Sequence, residues 1–546
     1  MDRTPPPLLL ATLLSSALFS SPLLAWEKDR TYPITLLHTN DHHGHFWQNE
    51  LGEYGLAAQK TLVDEIRKQV KNQGGVLLLL SGGDVNTGVP ESDLMFAEPD
   101  FKGMSKIGYD AMAIGNHEFD HSLKTLRKQQ KWASFPFISA NIYNKKSGKR
   151  LFKPYALFTR QKIKIAVIGL TTQDTVKSGR PRHFDNITFT SPTDEVRHLV
   201  EHLKKNQKPD IIIAATHMGH YAPSSGEHAE DDVDLAKALP PGTLDIIVGG
   251  HTQQALCMND YGKEITDYVP GMPCKPDRQN GTWIVQANEW GRYVGRADFT
   301  FRNGELKLVN YQLIPVNLKK AVRPQNGEAR YAFFTSEIRQ DPGMIKLLGP
   351  WQEKSERILM QKIGELKGEL VGDRQRVRSE QTNLSRLVLT SQMALTGADF
   401  AVINGGGVRT TLHEGDITRR DTLLVLPFRN QVAYIDLTGK EAADYISAVA
   451  IKPSGTGYYA QFANVTFTLK GNKASDIAIK GKAIQYDKVY RLATLDAIAS
   501  GGIGYPRLDD KPGYVNTGKG DADTLADFIQ THSPVNSEQW QPGRIL

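Results

Sequence analysis

Two cysteines in 546 residues are too few for a disulfide framework, and a chain this long can bury several cores without one. No sign of charge dominates: 66 Lys and Arg against 60 Asp and Glu leave +6, a thin excess for a binder of nucleic-acid backbones. There is no dense Lys/Arg stripe with interleaved aromatics, which excludes the usual nucleic-acid footprint. After the first 25 residues no apolar run is long enough to span a bilayer. Repeats and low-complexity tracts are also missing. What is left reads as folded and multidomain, because 40% hydrophobic and 23% charged residues leave no room for wholesale disorder. Length alone suggests about two to four domains.

The N-terminus is a segment to set aside. Leu8 to Phe19 is mostly apolar, and Leu23-Leu24-Ala25 ends in a small residue before Trp26 and the charged Glu27-Lys28-Asp29-Arg30. That pattern predicts a signal peptide over residues 1–25, cut after Ala25, and hence an exported, soluble protein. An uncleaved anchor is the alternative, since Asp2 offsets Arg3 in the n-region. An oxidising compartment makes one local disulfide between Cys257 and Cys274 plausible, with two free thiols as the alternative.

From Ile34 to about Val248 short apolar runs recur between polar stretches. Ile34–Leu37, Val76–Leu80, Ala111–Ile114, Ile163–Leu170, Ile211–Ala215 and Ile246–Val248 read as strands buried on both faces, which predicts a layered α/β core. Phe299–Phe301, Asn303-Gly304 and Leu306–Val309 read as a hairpin. Asp341-Pro342 offers an N-cap and a first helical position, so a helix is expected to about Gln361, kinked or split at Pro350. It would connect the two domains. Beyond Ile363 the segments shorten and alternate, as in an α+β domain.

Several of the buried runs stop at a polar cluster, where ligands of α/β folds gather. The clusters are Asp41-His42-His43, Ser81-Gly82-Gly83-Asp84, Gly115-Asn116-His117 with Asp120, Thr216-His217, and Gly250-His251 with Gln253. Each member has a bland reading: a surface histidine, a turn aspartate, a helix-capping asparagine. Together, as D-x-H, G-G-D, G-N-H-E-x-D, H and G-G-H-x-Q, they combine carboxylate, imidazole and amide oxygen. That donor set suits borderline divalent ions such as zinc, manganese or cobalt. The double glycine before Asp84 would leave room for an ion near the backbone. A carboxylate shared by two ions supports phosphate-ester hydrolysis.

Leu36–Trp47 (LLHTNDHHGHFW), Leu80–Leu94 (LSGGDVNTGVPESDL), Gly108–Asp120 (GYDAMAIGNHEFD), Asp210–Tyr221 (DIIIAATHMGHY) and Tyr505–Tyr514 (YPRLDDKPGY) resemble the 5′-nucleotidase family of calcineurin-like metallophosphoesterases. The resemblance is to the family's bacterial periplasmic members. It implies that Asp41, His43, Asp84 and Gln253 hold one metal and that Asp84, Asn116, His217 and His251 hold the other. His117 and Asp120 would be the catalytic dyad. It implies an α/β-sandwich catalytic domain over 26–340, a linker helix over 341–362, and a C-terminal α+β substrate-specificity domain over 363–546. Arg374, Arg378 and Arg409 resemble phosphate-binding arginines, and Phe428 and Asn430 match positions that contact a nucleobase. By composition alone, Arg374, Arg376 and Arg378 read as a solvated basic run.

One stretch departs from the family. Its members carry an aromatic and then G-G-D-G-Y, whereas this chain reads Leu495-Asp496-Ala497-Ile498-Ala499-Ser500-Gly501-Gly502-Ile503-Gly504-Tyr505. Ala497 stands where a second base-stacking ring is expected, and Ile503 where an Asp would accept the ribose hydroxyls. The expected activity is two-metal hydrolysis of nucleoside 5′-monophosphates, other nucleotides and UDP-sugars, by a monomer. The same mechanism on 2′,3′-cyclic nucleotides or other organic phosphates is the nearest alternative, and a non-catalytic exported solute-binding protein the most distant.

Overall fold

The computed structural model describes residues 26–178, 183–221, 228–322 and 330–541, so the expected signal peptide over residues 1–25 lies outside the described residues. Two six-stranded sheets form the centre of the N-terminal half. The first runs in the order Glu305–Pro315, Tyr293–Arg302, Tyr32–Thr39, Val76–Ser81, Ala111–Ala113, Phe137–Ile138. The second runs Asp277–Gln279, Thr282–Val285, Ile246–Val248, Ile211–His217, Ile163–Thr171, Tyr155–Arg160. Four neighbouring strands in each sheet are parallel, which is why they read as continuous apolar runs.

Alternation along each strand builds the layers. Leu36, paired with Leu78, points into the core between the sheets along with Val167, Ile213 and Ile246. Leu37 and Leu79 point outward under helices Leu56–Asn72 and Glu98–Ile107. On the other side Ile168, Ala214 and Ile247 meet helix Pro192–Asn206. The result is a helix–sheet–sheet–helix sandwich.

All six expected strands are present, and the hairpin is longer than expected. It spans Tyr293–Arg302 and Glu305–Pro315 around Asn303 (φ 53°) and Gly304 (φ 84°), both left-handed as a type I′ turn requires.

Helix Pro342–Leu359 follows, capped by the Asp341 carboxylate, which accepts the Met344 N–H at 2.6 Å. Of the kink or split expected at Pro350, the split does not occur. The helix runs through it and ends two residues before Gln361. Lys346, whose carbonyl loses its partner there, is exposed, so water can replace the missing bond.

Beyond it, a five-stranded sheet (Ala460–Ala463, Phe400–Asn404, Val489–Leu495, Gln431–Thr438, Val515–Gly520) packs with helices Asn383–Thr396, Gly439–Ala450 and Asp521–His532 around one core. The chain is thus a two-domain α/β protein. Among the described residues no helix is long and apolar enough to cross a membrane.

Cys257 and Cys274 are disulfide-bonded, with Cα atoms 4.7 Å apart. Cys257 is fully buried and Cys274 packs on the inter-sheet core, so the bridge ties down the loop that follows His251 and Gln253. Cross-linking a loop of this size stabilises by about 3 kcal/mol. The double variant Cys257→Ala/Cys274→Ala should lower the urea midpoint accordingly, with the far-UV spectrum unchanged. An unshifted midpoint would show that the bridge adds nothing.

Candidate active site

Each polar cluster lies at or just beyond the carboxyl end of a parallel strand. Asp41 and His43 follow Tyr32–Thr39, Asp84 follows Val76–Ser81, and Asn116 follows Ala111–Ala113 in the first sheet. His217 ends Ile211–His217, and His251 and Gln253 follow Ile246–Val248 in the second. Where the two sheets' ends meet, the seven side chains converge.

The convergence is tight. His217 Nε2 lies 2.9 Å from Asp84 Oδ2 and 3.1 Å from Asn116 Oδ1. His251 Nδ1 is 2.8 Å from the same Asn116 oxygen. On the other side of Asp84, His43 Nε2 lies 4.0 Å from Oδ2, 3.6 Å from Asp41 Oδ1 and 2.8 Å from the Gln253 side-chain nitrogen.

These contacts suit cations. His43 Nδ1 donates to the Thr87 carbonyl at 2.8 Å and His217 Nδ1 donates to the Gly82 carbonyl at 2.7 Å. Each imidazole therefore turns the lone pair of Nε2 inward. That of His217 meets the Asp84 and Asn116 oxygens, which asks for positive charge between them, while that of His43 accepts from the Gln253 amide nitrogen and faces the Asp41 and Asp84 carboxylates. Asp41 Oδ1 is buried without a hydrogen-bond partner among the described residues, which points the same way. His43, Asp84 and His117, and Asp84, His217 and His251, form two groups of donor atoms with Asp84 common to both; His117 Nδ1 is already taken by Asp120. The residues fit a pair of divalent ions.

The backbone is bent to make this possible. Asp41 (φ 51°), His43 (φ 47°), Asp84 (φ 53°), His251 (φ 81°) and Gln253 (φ 62°) all sit in the left-handed region, at a cost on the order of 1–3 kcal/mol each. The glycines beside them make close approach possible rather than leaving space for an ion. A Cβ on Gly82 would lie 2.3 Å from the Gly249 carbonyl oxygen, where the two sheets' loops meet. One on Gly115 would lie 2.1 Å from Asp84 Oδ1. That corrects the expectation of bare room around the metal.

His117 and Asp120 pair directly, Nδ1 to Oδ2, at 2.6 Å. Burial opposes a charge on His117, but Asp120 and Asp84 outweigh it and raise its pKa to about 9. The His117 backbone N–H donates to Asp84 Oδ1 at 2.9 Å, so the dyad is anchored on the shared carboxylate. Its ring lies edge-on to His43 and nearly parallel to Phe428 of the second domain, centroids 6.3 Å apart.

The second domain closes the site. Arg374, Arg409 and Phe428 line one cavity of about 480 Å³ together with His43, His117 and Gln253. Burial, then the neighbouring guanidinium of Arg374, lowers both Arg378 and Arg409 to about 10, so three positive charges are held close together. Crowded guanidinium groups suit an anion. Arg378 Nε is buried with no hydrogen-bond partner among the described residues. Arg376, by contrast, is exposed and pairs with Glu380. Arg378 and Asn430 do not line the cavity. Asn430 is buried, and its carbonyl accepts the Asp521 N–H at 2.9 Å. Asp496 accepts the Gln431 N–H at 2.8 Å, which sets the Asp496–Ala499 turn containing Ala497 beside the Phe428–Asn430 segment.

Glu118 was not singled out from the sequence, although it sits inside G-N-H-E-x-D. It is fully buried and accepts the N–H groups of Asp84, Val85 and Gly115 at 3.1, 2.9 and 2.7 Å, holding two ligand loops in one place. Burial, then Asp84, raises its pKa. A glutamate set between Asn116-His117 and Asp120 was the available signal.

Comparison with known proteins agrees with this geometry. A family model described as calcineurin-like phosphoesterase matches residues 34–255, and one for the 5′-nucleotidase C-terminal domain matches 362–510. The chain is 60% identical over 525 residues to Protein UshA of Yersinia enterocolitica, covering 96% of each. It is 59% identical over 536 residues to Protein UshA of Escherichia coli, covering 98% of this chain and 97% of that one. To a 5′-nucleotidase of Vibrio cholerae it is 54% identical over 550 residues, 99% of both. The solved 5′-nucleotidase precursor of Thermus thermophilus superposes with TM-score 0.71 at 28% identity, over 92% of this chain and 96% of that one. The fold and site define a metal-dependent phosphoesterase, and the chain belongs to the 5′-nucleotidase family of calcineurin-like phosphoesterases. That family implies divalent metal ions.

Asp84→Asn keeps the shape and the acceptor for the His117 N–H but removes the shared negative charge. The purified variant should lose most bound metal and most activity together, measured by elemental analysis and phosphate release. Full metal occupancy with full activity would contradict a shared carboxylate.

Proposed function

We propose that this chain is an exported, periplasmic hydrolase of nucleoside 5′-monophosphates and UDP-sugars, acting as a monomer. The observation that carries the reading is the cavity lined at once by His43 and Gln253 of the ligand cluster, by His117, which pairs with Asp120, and by Arg374 and Arg409 of the second domain. Asp41, His43, Asp84 and Gln253 hold one ion, and Asp84, Asn116, His217 and His251 the other. The mixed imidazole, carboxylate and amide donors favour zinc, with manganese or cobalt as substitutes. Such ions, when bound, polarise phosphoryl oxygens and lower the pKa of water at the site.

The chain's own residues do the rest. Arg374, Arg378 and Arg409 receive the phosphate and neutralise its charge. His117, with Nδ1 fixed by Asp120, presents Nε2 as a proton donor or charge partner for the oxygen that leaves. Phe428 offers its ring to a base and Asn430 fixes the base edge.

Ala497 and Ile503 weaken the nucleoside end of this reading. Ile503 has φ 52° and ψ 27°, a left-handed conformation that an aspartate tolerates and a β-branched residue resists. Its loop lies against Thr175–Ser178 of the first domain. Tyr458, whose carbonyl accepts the Tyr505 hydroxyl at 2.9 Å, is the exposed ring available to replace the missing one. The same pair favours, as a second reading, phosphate esters that lack a stacked base.

Two measurements test the proposal. Phosphate release from AMP and UMP should vanish on chelation and return with zinc or manganese. His117→Ala should keep both metals and lose on the order of 10²–10⁴-fold in kcat; a fall in metal content would make His117 a ligand instead.

The departure has its own expected outcome. A restored ring is worth about 1–3 kcal/mol and a restored acceptor adds to it. Ala497→Phe/Ile503→Asp should therefore lower KM for AMP and UMP by about 10-fold or more, and leave an aryl phosphate unchanged. Equal changes across all three substrates would show that this loop does not read the nucleoside.

A further inference from the structure

The cavity is larger than a phosphate needs, and only one end of it is accounted for. Phe428 lines it, whereas Asn430, Ala497 and Ile503 take no part in its lining. Its lining also includes His45, Trp47, Tyr54 and Trp290 of the first domain, an aromatic chamber wall, and Leu424 of the second.

The chamber wall is a built surface. Trp290 stacks on His45 with centroids 4.7 Å apart and planes 19° from parallel, and Tyr54 meets His45 edge-on at 5.6 Å. Arg292 lies over the outer region of Trp290, 4.2 Å from its ring centroid. Two of the bulky residues are held in the left-handed region, Tyr54 at φ 45° and Trp290 at φ 62°. Strain of that kind persists where the surrounding structure enforces it, and it clusters at functional sites. The Trp290 N–H donates to the Asp41 carbonyl at 2.7 Å, so the platform is fixed relative to a metal ligand. Gln48, Glu289 and Gln352 supply a polar edge.

An aromatic face with amide and carboxylate edges matches a pyranose, which has an apolar C–H face and a rim of hydroxyls. Resting on the proposed activity toward UDP-sugars, we propose that this chamber is a sugar subsite. It takes the hexose carried on the distal phosphorus of a nucleoside diphosphate sugar. With the hexose there, the phosphorus placed at the metal end is the one that bears the sugar. Water adds to that phosphorus, and its bond to the bridging oxygen breaks. UMP leaves with the bridging oxygen. The water's oxygen ends on the hexose 1-phosphate, and its two protons pass to product oxygens and solvent. A nucleoside monophosphate leaves the chamber empty.

The metal-loaded enzyme tests this with UDP-glucose in ¹⁸O-water. The label is expected in glucose 1-phosphate; label in the UMP formed by this cleavage would overturn the subsite. Removal of the platform in Trp290→Ala and filling of the chamber in Leu424→Trp should each lower kcat/KM for UDP-glucose by about 10- to 100-fold. UMP turnover should stay within about threefold in both. Equal losses on UMP and UDP-glucose in both variants, or a wild type that cleaves UMP but not UDP-glucose, would overturn the subsite while leaving the nucleotidase reading intact. A wild type inactive on both would overturn the two together.

Discussion

Asp84 is buried and still charged, and its position is possible only because imidazoles from both sheets surround it. Burial pushes a carboxyl toward its neutral form, but the protonated rings of His217 and then His117 hold this one well below the ordinary carboxylate range, a part that ions held by the same residues would take over from His217. His217 reaches it from the second sheet, while His43 and the His117 amide reach it from the first. An isolated charge in that place would be costly. The sandwich must therefore bring the ends of both sheets into close register, and the strained loops around Asp84 follow from that requirement.

The strain is tolerated because what supports it is rigid. The ligand loops leave strands whose side chains are locked between two packed layers, and Glu118 collects the amides of two of those loops. A site on flexible connections could not hold Asp41, His43, Asp84, His251 and Gln253 in the left-handed region together. The site is thus pre-arranged for ions, and little reorganisation is left for the reaction.

The cavity is divided between domains. The candidate ligands and the His117–Asp120 pair belong to the first, while Arg374, Arg409 and Phe428 belong to the second. Contacts across the boundary hold the cavity together: Arg420 to Glu91 at 2.6 Å, and Arg429 over the Phe96 ring at 5.4 Å. Helix Pro342–Leu359 joins the two and touches the same region, with Ser355 donating to the Glu91 carbonyl at 3.2 Å. A rotation that parts these two surfaces would break the Arg420–Glu91 pair.

The ligand clusters and the strands that carry them were legible in the sequence, because a strand buried on both faces must be apolar along its whole length and must stop at the residues it presents. The hairpin turn was legible for a similar local reason, since Asn303-Gly304 adopts left-handed angles readily. Other features depended on residues far apart in the chain. That Gly82 faces Gly249, that Glu118 serves Asp84, and that Arg376 turns to solvent while Arg409 joins Arg374 at the cavity were decided by sheet order and domain packing. The aromatic chamber is the clearest case. His45, Tyr54 and Trp290 carry no pattern in sequence, and they form a surface only because strand Tyr293–Arg302 returns to pair beside Tyr32–Thr39. Local periodicity reports which face of a strand is buried; which distant residue meets it there is fixed only when the layers close.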